Sequence, residues 1–116
     1  MNFVTYEPNK RTANLNPEIR ISKSGFMTIA PVFVEKQFKD AQYAQLLFDA
    51  ESRSIGIKPA SPQDMNTLKL SIPKGSKSKR LSVSGFLEFC GVKLTKNITC
   101  TGEWNEAVGA VIIKLP

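Results

Sequence analysis

The chain has 116 residues, 41% of them hydrophobic and 22% charged, with a formal charge of +6 and no histidine. That size and balance describe one folded domain around one core and lie outside the disordered range. The missing imidazole removes the commonest general acid–base and the commonest metal ligand. No P-loop or G-x-G-x-x-G run is present and the ten acids are scattered singly, so no catalytic residue, metal site or cofactor is expected.

Residues 1–18 hold two prolines and four asparagines. They read as an irregular arm that docks as an edge strand near Phe3 and Tyr6. The start lacks a basic-then-apolar signal, and no stretch approaches the roughly 20 apolar residues a membrane span needs, so the expectation is a cytoplasmic protein with no membrane contact. Ile19 to Ser22 alternates apolar with polar, Lys23-Ser24-Gly25 is a turn, and Phe26 to Ile29 resumes extended character. Pro31 suits the first turn of a helix over 31–38, in which Val32, Phe33, Val34 and Phe38 recur at helical spacing. Tyr43 to Phe48 and Ser54 to Lys58 form a hairpin around Asp49-Ala50-Glu51-Ser52, and Pro59 is expected to stop it.

Residues 60–67 read as a linker. Leu68, Leu70 and Ile72 then alternate with polar neighbours until Pro73, and Lys74 to Arg80 reads as a basic loop. Order resumes at Leu81-Ser82-Val83. Ser84 is placed to cap a helix over 85–90 carrying Phe86, Leu87, Phe89 and Cys90, and Gly91 stands where a left-handed C-cap is wanted. Two extended runs, Asn97 to Trp104 and Gly109 to Leu115, complete the chain.

The second part repeats the first. Thr28-Ile29-Ala30-Pro31-Val32-Phe33 matches Ser82-Val83-Ser84-Gly85-Phe86-Leu87 at an offset of 54, and Ile57-Lys58-Pro59 matches Ile113-Lys114-Leu115 at an offset of 56. The predicted fold class is mainly β with two short helices (α+β): a single domain, 1–116, in which 19–59 and 68–116 are strand–helix–hairpin repeats joined by 60–67. A single unit encloses no core, whereas two bury their apolar faces against each other as a pseudo-two-fold barrel or sandwich.

The run from Ile21 through Gly25 to Ile29, a short helix, and the hairpin from Gln45 to Pro59 resemble the swapped-hairpin domain of AbrB/SpoVT-type regulators, with tandem copies in one chain as in the MraZ branch. The resemblance covers 19–59, with a looser echo in 80–115. It implies a half-barrel completed by a second copy and sequence-tolerant binding of duplex DNA by a basic face. An arginine usually follows the turn glycine in that family, whereas Phe26 follows Gly25 here. Lys23 and Lys36 are the positions carried over.

Between Asp64 and Glu88 there is no acid, while Lys69, Lys74, Lys77, Lys79 and Arg80 supply five positive charges. Such a cluster holds phosphates by counterion release and reads bases poorly. The candidate nucleic-acid-binding residues are therefore Lys23, Lys69, Lys74, Lys77, Lys79 and Arg80, and the leading expectation is a non-enzymatic, weakly sequence-specific nucleic-acid-binding or regulatory module. The alternative is a protein-interaction or structural module that uses an exposed hairpin or edge strand, including for self-association. Phe33, Phe38, Phe48, Phe86 and Phe89 are assigned to the core, and Phe26 either to the core or to a stacking platform beside Lys23. Cys90 and Cys100 read as reduced thiols.

Overall fold

The structure, a computed structural model, describes residues 17–115. The edge strand expected near Phe3 and Tyr6 lies outside the described residues. The first strand, β1 (Glu18–Ile21), turns Ile19 and Ile21 inward and Arg20 outward. A tight turn leads to β2 (Phe26–Ile29): the Ser22 hydroxyl accepts the Phe26 N–H at 3.1 Å, and Gly25 takes φ +95°, a conformation that disfavours side chains. Pro31 opens α1 (Pro31–Lys36), which is shorter than 31–38. Phe38 stays buried but sits in the turn beyond the helix.

The hairpin follows as β3 (Tyr43–Asp49) and β4 (Ser54–Ala60), with the Asp49 carboxylate accepting from the Glu51 N–H and the Ser52 hydroxyl. Pro59 does not end β4. It pairs with Ala44 at a point where the neighbouring strand has already stopped, so its missing N–H faces a sheet edge. Next come β5 (Thr67–Lys69), β6 (Lys79–Ser82) and α2 (Ser84–Cys90). Val83, not Ser84, is the N-cap of α2, no side chain caps it, and Gly91 closes it at φ 71°. The extended run predicted from Asn97 to Trp104 is broken in two, β7 (Ile98–Thr101) and β8 (Glu103–Asn105), before β9 (Ala110–Lys114).

These strands form two antiparallel sheets, not a closed barrel. One has the order β6-β2-β1-β7 and the other β5-β3-β4-β9-β8. The sheets meet at two corners. At Gly102 the chain leaves β7 in one sheet and enters β8 in the other, and a Cβ there would lie 2.8 Å from Val111 and 3.1 Å from Phe33. At the other corner Ser71, just past β5, bridges Arg80 of β6. Ile19, Ile21, Met27, Ile29 and Leu81 from the first sheet share one apolar cluster with Ile55, Ile57, Val111 and Ile113 from the second. Full burial of each such side chain is worth roughly 1.5–3 kcal/mol.

The pairing interlocks the two parts of the chain. β1 pairs with β7 and β5 with β3, so each part receives a strand from the other. Where β2 meets β6, Met27 lies opposite Leu81, 54 positions on; where β4 meets β9, Gly56 lies opposite Ile112, 56 positions on. One aromatic assigned to the core, Phe89, departs from it, and Phe26, open between core and platform, is exposed. Phe89 is 81% exposed on α2, because a seven-residue helix buries one face and Leu87 occupies it. Phe26 is 39% exposed on the outer side of β2. Phe48 and Phe86 are partly buried and meet edge to face, with ring centroids 6.4 Å apart.

Candidate nucleic-acid interface

Strand alternation decides which charges reach solvent. Along β6, Lys79 and Leu81 point inward while Arg80 and Ser82 point outward. Arg80 lies level with Thr28 on β2, Thr28 with Arg20 on β1, and Arg20 with Thr99 on β7, so one row across the sheet reads Arg–Thr–Arg–Thr. The Arg80 guanidinium lies over the Phe26 ring, its Cζ 4.7 Å from the centroid. Arg20 is largely exposed and, among the described residues, pairs with Glu18 alone, at 3.5 Å. That carboxylate is the sole acid on the four strands of this sheet.

The six residues picked out by the sequence are distributed around this face, and Lys79 leaves the set. Its side chain is 7% exposed, and its Nζ donates to the carbonyls of Phe38 at 2.6 Å, Ala41 at 2.7 Å and Lys39 at 3.4 Å. The ammonium thus satisfies the carbonyls of the turn leaving α1 and is not presented to phosphate. Lys74 and Lys77 are exposed on the loop before β6, and Gly75 at φ 75° makes its bend. Lys77 shares a groove of about 590 Å³ between that loop and α1 with Lys39, Val34 and the acid Glu35. Lys69 is exposed on β5, two positions before the residue bridged to Arg80, and so lies around the corner on the outside of the second sheet.

Lys23 is at the opposite end of the first sheet, in the β1–β2 turn, where its N–H donates to the Asn97 side chain at 2.9 Å. A Cβ on Gly25 would come within 2.7 Å of the Ser84 Cβ, so the start of α2 is seated directly on this turn. Asn97 brings exposed Lys96 to the same end. The face is therefore a hydroxyl-rich platform with Arg20 and Arg80 in its middle, Lys77 and Lys39 beyond one end, and Lys23 and Lys96 at the other. Arg20, Lys39 and Lys96 escaped the sequence reading: each has a single other cation within three residues and forms no run in the chain; strand pairing, the groove beside α1 and the Asn97 contact gather them.

Among the described residues no group of three or more acids and cysteines is placed to hold a metal ion, and no helix is long and apolar enough to cross a membrane. Cys90 and Cys100 are free, and burial pushes both thiols above their usual pKa. No family model matches the chain, and no curated protein or solved structure is significantly similar to it.

Proposed function

We propose that this chain is a non-enzymatic nucleic-acid-binding module that holds a phosphate backbone, with little sequence preference, along the outer face of the β6-β2-β1-β7 sheet. The observation that carries the reading is the outward row of Arg80 and Arg20 across hydroxyl-bearing strands, with Arg80 lying over Phe26 and lysines beyond both ends. Charge, hydroxyl donors and an aromatic on one exposed face are the components of phosphate and base contact. The test is a salt titration of the wild type against the triple variant Lys74→Gln, Lys77→Gln, Arg80→Gln, with Lys79 left intact because it is structural. Affinity should fall for every sequence, and the slope of log K against log salt should flatten by up to about 0.9 per lost duplex contact or about 0.7 per lost single-strand contact. Equal affinity and equal slope would remove the reading.

The duplicated strand–helix–hairpin unit belongs to the same proposal. It is supported by the two axis pairs, Met27 with Leu81 and Gly56 with Ile112, whose separations are the offsets at which the sequence repeats. It is supported again by the Ser22 N–H donating to the Phe26 carbonyl while the Ser71 N–H donates to the Arg80 carbonyl. On this reading Arg80 stands at the position that Phe26 holds in the first unit, which is where the AbrB/SpoVT resemblance expects an arginine.

One observation favours the protein-interaction alternative: Phe89 is 81% exposed on α2. Sedimentation of the wild type and of Phe89→Ser separates the two readings. Self-association lost with the serine variant and no binding of nucleic acid would favour the alternative.

A further inference from the structure

We infer that the sheet face takes single-stranded nucleic acid, one base stacking on the solvent side of the Arg80 guanidinium where it covers Phe26. The inference rests on the nucleic-acid reading above and narrows it to one class of strand. Three observations lead to it. First, the guanidinium lies over a ring, its Cζ 4.7 Å from the centroid on an exposed face, and supplies a planar cation of the kind on which unpaired bases stack.

Second, the outward residues of the four strands are short hydroxyls apart from the arginines, Phe26 and Glu18. Thr28, Thr99, Thr101 and Ser82 form a low platform. Duplex reading needs an element that enters a groove about 12 Å wide, whereas this face is a sheet surface on which the Arg80 guanidinium lies over Phe26. Third, the charges lie along a path. Strands of four residues are about 13 Å long at about 3.3 Å per residue. Lys77 and Lys39 stand beyond one end and Lys23 and Lys96 at the other, so a backbone crossing the Arg80–Phe26 stack meets a cation before, at and after it.

The experiment compares labelled single strands of about twelve nucleotides, as DNA and as RNA, with the matching duplex and with an abasic backbone of the same charge, at about 50 mM and about 200 mM salt. The proteins are the wild type and Arg80→Lys, which keeps the charge and removes the planar surface. Arg80 is exposed, and circular dichroism checks that the lysine variant is folded; Phe26→Leu gives a second route to the same stack. Single strands should bind more tightly than both the duplex and the abasic backbone. Each variant should lose about 5- to 100-fold for single strands with an unchanged salt slope. Tighter RNA than DNA binding would assign the hydroxyl rows to the ribose, and equal binding would assign them to the shared phosphates; both support the stack. Duplex or abasic binding as tight as single-strand binding, or a lysine variant equal to wild type, would overturn the inference while leaving the nucleic-acid reading standing. No binding of any oligonucleotide at about 50 mM salt would overturn both.

Discussion

Replacing Lys79 with methionine keeps the length of the stem and removes the ammonium. In the wild type that ammonium donates to the Phe38 carbonyl at 2.6 Å and the Ala41 carbonyl at 2.7 Å, with Lys39 at 3.4 Å a weak third. Hydrogen bonds to a charged group are worth roughly 1.5–3 kcal/mol each, but desolvating a buried ammonium costs several kcal/mol, so the bonds cannot simply be summed. The balance is set by what the variant leaves behind. The Phe38 carbonyl still accepts from the Ala41 N–H at 3.2 Å, whereas the Ala41 carbonyl has no other partner among the described residues. Ala41 is partly buried, so its orphaned carbonyl costs at most about 1–3 kcal/mol. With a urea slope of about 1–3 kcal/mol/M, the unfolding midpoint should fall by up to about 1 M at an unchanged slope. Lys79→Ala also loses the packed stem and should fall further. A methionine variant with the wild-type midpoint would refute the assignment, as would one that is equally stable but loses nucleic-acid binding, since that places the ammonium at the interface.

Gly25→Ala puts a side chain at φ +95° and its Cβ 2.7 Å from that of Ser84. The expected loss is about 2–4 kcal/mol, a drop in melting temperature of about 8 °C or more by calorimetry, and a drop under about 2 °C would contradict the close seating of α2 on the turn. The raised pKa of Cys90 and Cys100 means that the fold prefers the neutral thiol. Stability from this source is complete below the ordinary thiol value and declines as pH rises through the shifted one. Alkylation of the native protein should therefore lag behind that of the urea-unfolded protein between about pH 8 and 9, and equal rates would contradict the burial. Cutting the chain in the exposed segment 61–66 separates β1 from β7 and β3 from β5. Each fragment alone should lack a cooperative transition and the mixture should regain one; a fragment that folds as a monomer would deny the interlock.

Element order was legible because the strands alternate cleanly and Pro31 and Gly91 mark a helix start and a helix end. The assignment of Lys79 failed for a physical reason. Lys74 to Arg80 looks like one solvated run, but β6 starts at Lys79, and carrying the period-two pattern back from Leu81 would have put Lys79 inside and Arg80 outside. The break at Gly102 was hidden because β7 and β8 are one extended run locally; only the approach of Phe33 and Val111 shows why a residue without a side chain is needed there. The outward charged row was illegible in principle from linear charge density, since Arg20 and Arg80 become neighbours only through β2.

Interlocked pairing also sets a timetable for synthesis. Ile19 finds its partner Cys100 81 positions later in the chain. At about 5–20 residues per second that is a wait of roughly 4–16 s after Ile19 is made. Throughout that interval β1, with two isoleucines destined for the core, offers an open edge to whatever strand arrives first. On a crowded messenger the β7 of a neighbouring nascent chain satisfies it as well as the chain's own, so strand-exchanged dimers are the misassembly this topology favours, and slower initiation is the condition that suppresses them.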